Sequence, residues 1–310
     1  MRGVMEFSDL GEEKIFCERD ADLDSGDEGD LHENSLDRRL VRDIVARALA
    51  EDVGHGDLTT MTLVGPTAQG RAQIVAKESG VICGLPVGAE VFAQVDPSVR
   101  WTPLCVEGDE VAPGRVVAEV AGATRSILIG ERVALNFMQL LSGVATATAA
   151  LVRACSGTRA RILDTRKTLP GLRALQRYAV RVGGGVNHRF GLFDAILIKE
   201  NHILAAGGVR PALERARRAG PLVRIEIEVE TLEQLEEALA AGANLILLDN
   251  MAVDMIREAV TRVGGRAQLE VSGGVTLATV AAVAQTGVDF ISAGSLTHSA
   301  RALDLSLKLI

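Results

Sequence analysis

Aromatic residues and cysteines are scarce in this chain. Aromatic side chains make up 3% of its 310 residues, so Ala, Val, Leu and Ile must build the core. This composition is common in α/β proteins with buried parallel strands. The four cysteines have no CxxC spacing and indicate neither a disulfide framework nor a zinc site. An apolar run of 18 residues is also lacking, and the acidic N-terminus is unlike a secretory signal. We therefore expect a soluble, cytoplasmic α/β protein with buried free thiols.

The formal net charge of −8 is unevenly distributed along the chain. Residues 1–37 hold 13 acidic and 3 basic side chains, whereas the remainder holds 30 basic and 28 acidic ones. The first 36 residues have few large apolar side chains, which predicts a disordered acidic tail. The remainder is slightly cationic and suited to small anions, and no run of Lys and Arg indicates a nucleic-acid partner.

Strand-like runs that end in polar residues recur after residue 160. Successive ends between Lys199 and Gly294 are 21 to 29 residues apart, which suits one strand and one helix per unit. Such a series can close into a barrel or remain a doubly wound sheet. Because no GxGxxG follows a first strand, the barrel is favoured.

The ends of barrel strands carry the active site in enzymes of this architecture. Here five of them present Lys199, Glu228, Asp249, Ser272 and Gly294. Glycine-rich turns after the last two strands are typical of phosphate sites, because backbone N–H groups can approach the anion closely. The predicted phosphate-binding residues are Ser272, Gly273, Gly274, Ala293, Gly294 and Ser295.

Carboxylates and cations accompany these loops. Glu228 and Asp249 could act as acid and base, bind a divalent cation, or neutralise nearby cations, and the sequence leaves these alternatives open. A cationic group predicts a substrate with more than one carboxylate, since arginine binds carboxylates with two hydrogen bonds. Its members are Arg166, Lys167, His188, Arg189 and Lys199. For His188 a core role is as plausible as a ligand role.

Five longer motifs carry a family resemblance. They are Glu51–Thr60 (EDVGHGDLTT), Gly130–Asn136 (GERVALN), Asp164–Arg173 (DTRKTLPGLR), Gly184–Arg189 (GGVNHR) and Leu197–His202 (LIKENH). With these motifs the chain resembles quinolinate phosphoribosyltransferase from about residue 38 to its C-terminus.

The resemblance implies an α/β fold with an N-terminal open sandwich and an incomplete TIM-like (β/α) barrel. The corresponding domains are the tail at 1–36, the sandwich at 37–145, the barrel at 146–300 and a C-terminal helix at 301–310 that returns to the sandwich. It also implies a reaction: quinolinate and phosphoribosyl pyrophosphate give nicotinate mononucleotide, pyrophosphate and CO2, with Mg²⁺ as cofactor. A homodimer or a multiple of dimers is implied as well.

The resemblance further implies roles for individual residues. Catalysis would involve Lys167, Lys199, Glu228 and Asp249, the last two also holding the metal. Quinolinate would be bound by Arg132 from a neighbouring subunit together with Arg166, Thr168, His188, Arg189 and Lys199.

Three rival functions deserve comparison. Within the fold, the rivals are a related phosphoribosyltransferase-like protein of molybdenum-transport clusters and a barrel acting on another aromatic acid. Both are disfavoured by the Arg166 and Arg189 pair, which suits a dicarboxylate. A phosphosugar-binding regulator without catalysis is disfavoured by Glu228, Asp249 and Lys167.

Overall fold

The computed structural model describes residues 36–310. The acidic tail predicted for residues 1–36 therefore lies outside the described residues, apart from Leu36. Up to residue 154 the chain forms these helices and strands: α1 (Arg38–Val53), α2 (Leu58–Leu63), β1 (Gln69–Ala76), β2 (Gly80–Val81), α3 (Leu85–Val95), β3 (Arg100–Pro103), β4 (Glu110–Val111), β5 (Val116–Ala123) and α4 (Thr124–Ala154).

The remaining elements alternate strands with helices. They are β6 (Arg161–Leu163), α5 (Arg173–Val182), β7 (Ile196–Ile198), α6 (Glu200–Ala206), α7 (Val209–Ala216), β8 (Ile225–Val229), α8 (Leu232–Ala240), β9 (Leu245–Asp249), α9 (Val253–Val263), β10 (Gln268–Ser272), α10 (Val280–Ala284), β11 (Phe290–Ser292), α11 (Ser295–His298) and β12 (Leu305–Leu309).

An antiparallel sheet organises the first part of the described chain. Its strand order is β12-β1-β5-β3. Along β1 the side chains of Ala72, Ile74 and Ala76 are buried while their neighbours are more exposed. This alternation is the period-2 pattern of a sheet with one covered face.

The prediction of a C-terminal helix at residues 301–310 is wrong. Residues Leu305–Leu309 form a strand that pairs antiparallel with β1, Leu305 opposite Ala76 and Leu309 opposite Ala72. The local sequence alternates leucine with Ser306 and Lys308, which is a strand period rather than a helical one. The predicted return of the chain to the first sheet does occur, but through strand pairing.

Helix α4 is the longest element of the described chain and connects the antiparallel sheet to the six-stranded sheet that follows it. It has 31 residues and contains the predicted domain boundary between residues 145 and 146. By length and composition it could cross a membrane, with a mean hydropathy of 1.4 over 18 residues, but 61% of that window is buried inside the protein. A β-carbon at Gly143 would lie 2.2 Å from the Arg301 carbonyl oxygen, so this glycine lets the C-terminal segment pass close to the helix. The helix therefore serves as a core helix here.

Six parallel strands form the second sheet, in the order β6-β11-β10-β9-β8-β7. Strand β9 is buried over its first four residues, as expected where helices cover one face and barrel interior fills the other. Beyond β6, Val186 adds a single parallel bridge to Leu163. Within residues 36–310 no strand pairing joins this edge to β7, so the sheet is an incomplete barrel, as predicted.

Candidate active site

The carboxyl ends of the parallel strands surround a cleft of about 590 Å³. Parallel strands end on the same side of the sheet, which brings residues far apart in sequence together. Thirteen predicted site residues line the cleft: Arg166, Lys167, His188, Arg189, Lys199, Glu228, Asp249, Ser272, Gly273, Gly274, Ala293, Gly294 and Ser295.

Two predicted site residues, Arg132 and Thr168, do not line the cleft. Arg132 lies on α4, its side chain is 56% exposed, and its guanidinium is 3.9 Å from Glu131. The hydroxyl of Thr168 accepts a hydrogen bond of 3.0 Å from Nε of Arg173, whose Nη2 donates to the Arg166 carbonyl at 3.4 Å. Thr168 is thus placed to hold the segment that carries Arg166.

The two arginines of the cleft have few partners of their own. The buried Nε atoms of Arg166 and Arg189 have no hydrogen-bond acceptor within residues 36–310, and Nη1 of Arg189 donates to the Ala195 carbonyl at 3.0 Å. The pKa of Arg189 is lowered mainly by burial and, to a smaller extent, by the nearby charge of Arg166. Two guanidinium groups held close together favour an anion that can pair with both.

Asp164 directly follows strand β6, but it supports the cleft and does not line it. Its buried carboxylate accepts hydrogen bonds from the His188 backbone N–H, at 2.7 Å, and from the Asn187 amide. Nη1 of Arg177 lies 3.5 Å from the same carboxylate and donates to the carbonyls of His188 and Arg189. Burial raises the pKa of Asp164, and the Arg177 charge partly offsets this. The network fixes the segment that presents Arg189.

Lysine and carboxylate side chains meet at the ends of β7, β8 and β9. Nζ of Lys199 donates to Oε2 of Glu228 at 2.8 Å, and Oδ2 of Asp249 accepts from the Asn250 amide at 2.8 Å. In the described chain these hydrogen bonds use one oxygen of each carboxylate. The other two oxygens, Oε1 of Glu228 and Oδ1 of Asp249, are the ones left for a cation or a hydroxyl group.

The loop after β10 depends on glycine. Gly273 has a φ of +96°, and a β-carbon there would lie 2.1 Å from the Asn250 side-chain oxygen. Asn250 itself has a φ of 54°, the only positive value at a non-glycine position in the described chain. Positive φ at such a residue is uncommon and clusters at functional sites. The close approach of Asn250 to Gly273 brings the loops after β9 and β10 together at the edge of the cleft.

Sequence reasoning missed the acidic floor of the cleft. Glu270 lines it, and the buried Glu226 lies nearby, 3.0 Å from the His188 ring. Each stands two residues before a predicted site residue, Glu228 or Ser272, and therefore points to the same strand face. That period-2 spacing is the signal that could have identified both. The other cleft residues not predicted are Thr165, Leu197, Leu247, Asn250, Val275, Thr276, Ser292 and His298.

Family models match most of the described chain. Residues 57–142 match the N-terminal domain of quinolinate phosphoribosyl transferase, and residues 144–308 match its C-terminal domain. The chain belongs to this family. The resemblance read from the five sequence motifs is thereby confirmed.

Curated relatives in the quinolinate phosphoribosyl transferase family cover most of this chain. A Bacillus subtilis protein described as a probable nicotinate-nucleotide pyrophosphorylase (carboxylating) is 46% identical over 83% of this chain and 89% of its own length. The Mycobacterium leprae nicotinate-nucleotide pyrophosphorylase (carboxylating) is 47% identical over 86% of this chain and 96% of its own.

A solved family member has the same fold. The nicotinate-nucleotide pyrophosphorylase from Francisella tularensis superposes with a TM-score of 0.86 at 42% identity, over 89% of this chain and 98% of that one. This similarity confirms the α/β fold class with an incomplete barrel and an N-terminal domain.

Proposed function

We propose that this protein is a carboxylating nicotinate-nucleotide pyrophosphorylase of de novo NAD biosynthesis. It transfers the phosphoribosyl group of phosphoribosyl pyrophosphate to quinolinate, and nicotinate mononucleotide, pyrophosphate and CO2 are the products. The observation that carries this assignment is the pair of incompletely partnered arginines, Arg166 and Arg189, in a cleft that also holds two carboxylates and two glycine-containing loops.

Quinolinate carries two adjacent carboxylates and needs more than one cation. Arg166 and Arg189 supply planar hydrogen-bond donors, and Lys199 supplies an ammonium group at the neighbouring strand end. Lys199 is held by Glu228, so its position is set before the substrate arrives.

The phosphoribosyl donor fits the opposite side of the cleft. The Ser272–Gly274 and Ala293–Ser295 loops follow the two strands where barrels commonly bind phosphate. A β-carbon at Gly294 would lie 3.0 Å from the Lys167 side chain, so this loop and Lys167 are in close contact. We assign the 5-phosphate to the loops and the pyrophosphate to Lys167.

Magnesium fits the carboxylate pair. Glu228 and Asp249 both line the cleft and are hard oxygen ligands, and Mg²⁺ is usually held by one or two carboxylates together with substrate phosphates. When bound, the ion would neutralise charge on the pyrophosphate. Chelation of divalent ions should abolish turnover and added Mg²⁺ should restore it; turnover that persists through chelation would contradict this assignment.

The chemistry proceeds through two bond changes. The bond from ribose C1 to the pyrophosphate oxygen breaks, its electron pair leaves with pyrophosphate, and the quinolinate ring nitrogen forms the new bond to C1. Lys167 stabilises the leaving group, and the nearby carboxylates stabilise positive charge on the ribose. The C2–carboxylate bond then breaks to release CO2, and its electron pair stays on C2, stabilised by the adjacent cationic nitrogen. A proton from water then takes the place of the carboxylate at C2.

A dimer would complete the cleft with Arg132. In one chain this side chain is exposed on α4 and does not line its own cleft. We propose that Arg132 enters the cleft of a second copy. Mixing the inactive variants Arg132→Ala and Arg189→Ala should restore about a quarter of the activity, since a mixed dimer keeps one intact site. If the two variants exchange subunits and activity still does not return, the result would contradict a shared site.

The direct test of the function is product formation. Incubation with quinolinate, phosphoribosyl pyrophosphate and Mg²⁺ should yield nicotinate mononucleotide and CO2, measured by chromatography and gas release. Turnover of nicotinate in place of quinolinate would overturn the substrate assignment. The cytoplasmic location stays a prediction; relatives from Arabidopsis thaliana and Nicotiana glauca are described as chloroplastic and mitochondrial.

A further inference from the structure

Three titratable side chains meet inside the barrel beneath the cleft. One ring nitrogen of His188 and one carboxylate oxygen each of Glu226 and Glu270 lie within 4.8 Å of one another. The exposed fractions of the three residues are 9%, 2% and 0%. The proposed reaction uses neither glutamate, although Glu270 lines the cleft itself.

Both nitrogens of the His188 ring face protein groups. Nδ1 accepts a hydrogen bond of 2.7 Å from the backbone N–H of Arg189. Nε2 lies 3.0 Å from Oε2 of Glu226 and 3.6 Å from Oε2 of Glu270. Because a backbone N–H can only donate, Nδ1 must carry the lone pair, and the ring proton belongs on Nε2, facing the carboxyls. Neither nitrogen is left to bind a substrate carboxylate.

The two carboxyl groups have little other compensation. Oε1 of Glu226 and both oxygens of Glu270 have no hydrogen-bond partner in the described chain. The nearest described guanidinium, that of Arg224, is 3.9 Å from Glu226. Burial, followed by the charge of Glu226, raises the pKa of Glu270 well above its ordinary value. A Glu270 carboxyl that keeps its proton adds no negative charge beneath an anion-binding cleft.

We infer that Glu226 and Glu270 are positioning residues that act through His188. They hold the imidazole with its proton on Nε2, so that Nδ1 accepts from the Arg189 backbone and fixes the Arg189 guanidinium in the cleft. This differs from the direct quinolinate contact that the family resemblance implies for His188. The expected effect on quinolinate binding rests on the proposed function, whereas the geometry of the His188 ring does not.

The tautomer can be measured without any substrate. In long-range ¹H–¹⁵N correlation spectra of the full chain with labelled histidine, the His188 ring should show an unprotonated Nδ1 and a protonated Nε2. The signal is assigned by its loss in His188→Asn. Added quinolinate should leave this pattern unchanged. A ring protonated at Nδ1, or one that becomes doubly protonated with quinolinate, would overturn the inference even if the proposed reaction is wrong.

Kinetics of two Glu226 variants test the effect on the substrate. Glu226→Leu removes the acceptor for Nε2 and should raise the quinolinate KM about tenfold, the loss of about one hydrogen bond. The KM for phosphoribosyl pyrophosphate should stay within about twofold of wild type, because the phosphate loops do not depend on His188. Glu226→Gln keeps an acceptor and should recover most of the quinolinate affinity.

Glu107→Leu is the matched control. Glu107 accepts from the backbone N–H groups of Gly84 and Leu85 at the start of α3, outside the cleft. Its loss should lower stability and leave both KM values unchanged. Equal changes in both KM values of Glu226→Leu would overturn the positioning role. One metal ion per purified chain that is lost in Glu226→Leu would also overturn it, since the cluster would then be a metal centre. If Glu226→Leu fails to fold, the histidine spectra of the wild-type protein test the inference without it.

Discussion

The two ends of the barrel each have a cleft, and the larger one is not the candidate active site. The cleft at the amino ends of β8, β9 and β10 has a volume of about 680 Å³, against about 590 Å³ at the carboxyl ends. Strands β8, β9 and β10 and their connecting segments contribute to both clefts. Size therefore does not identify the site in this protein.

The difference lies in how the cations are held. At the amino end, Nη2 of Arg217 donates to the carbonyls of Ala241 and Gly242, at 2.6 and 3.0 Å, so the arginine ties two segments together. At the carboxyl end, the buried Nε atoms of Arg166 and Arg189 have no acceptor in the described chain. Donors without partners, beside carboxylates and glycine loops, mark the end that can bind an anion.

The largest expected effect is at the carboxyl end. Arg189→Ala should lower kcat/KM for quinolinate on the order of 10²-fold or more, because a buried charge pair with the substrate is lost. Binding of phosphoribosyl pyrophosphate, measured by calorimetry, should be retained. Unchanged quinolinate turnover would contradict the assignment of this cleft.

A glycine at each end allows a matched comparison. Gly273→Ala should cost about 1–3 kcal/mol because of its positive φ and the clash with Asn250, and should raise the KM for phosphoribosyl pyrophosphate. Gly265 precedes β10 with a φ of +80° and has nothing within 4 Å of its β-carbon position. Gly265→Ala should therefore lower stability without changing either KM. Identical kinetics in the two variants would contradict a phosphate role for the Gly273 loop.

Burial of charge near the carboxyl end should appear in the pH dependence of stability. Glu270 lies next to Glu226, His188 and Arg224, and in the folded chain it keeps its proton above its ordinary pKa of 4.5. The unfolded chain releases this proton above pH 4.5. The free energy of unfolding of wild type should therefore fall as the pH rises above that value, towards the raised pKa. The slope relative to Glu270→Gln is up to about 1.4 kcal/mol per pH unit.

Urea denaturation of both proteins at several pH values between about 5 and 8 measures this slope. Glutamine cannot ionise, so its profile provides the reference for the other titrating groups. Parallel profiles of the two proteins would show that Glu270 does not retain its proton.

The smallest expected effect is at the amino end. Arg217→Ala removes two hydrogen bonds to carbonyls and should lower the free energy of unfolding by about 1 kcal/mol. Its kcat and both KM values should match wild type, since this arginine lies at the amino-end cleft, away from the candidate active site. A selective loss of quinolinate affinity in Arg217→Ala would show that the two ends do not differ as described.

Much of the architecture was predictable because its signals are local. Thr231 caps the start of α8 by accepting a hydrogen bond from the Gln234 backbone N–H, and threonine is a residue type that favours this position. The polar ends of β7 to β10 do converge on one cleft. The C-terminal strand was predictable too, since Leu305, Leu307 and Leu309 alternate with polar residues, but the helical interpretation overlooked that period.

By itself the sequence determined the series of strands, the polar residues that end them and the family to which the chain belongs. Tertiary structure alone decided which of these residues are exposed to the cleft and which support it. It buried Asp164, placed Glu226 and Glu270 against His188, and left Arg132 outside its own cleft. The physical reason is that periodicity and capping depend on neighbours in sequence, whereas burial and the choice of partner depend on which strands pair.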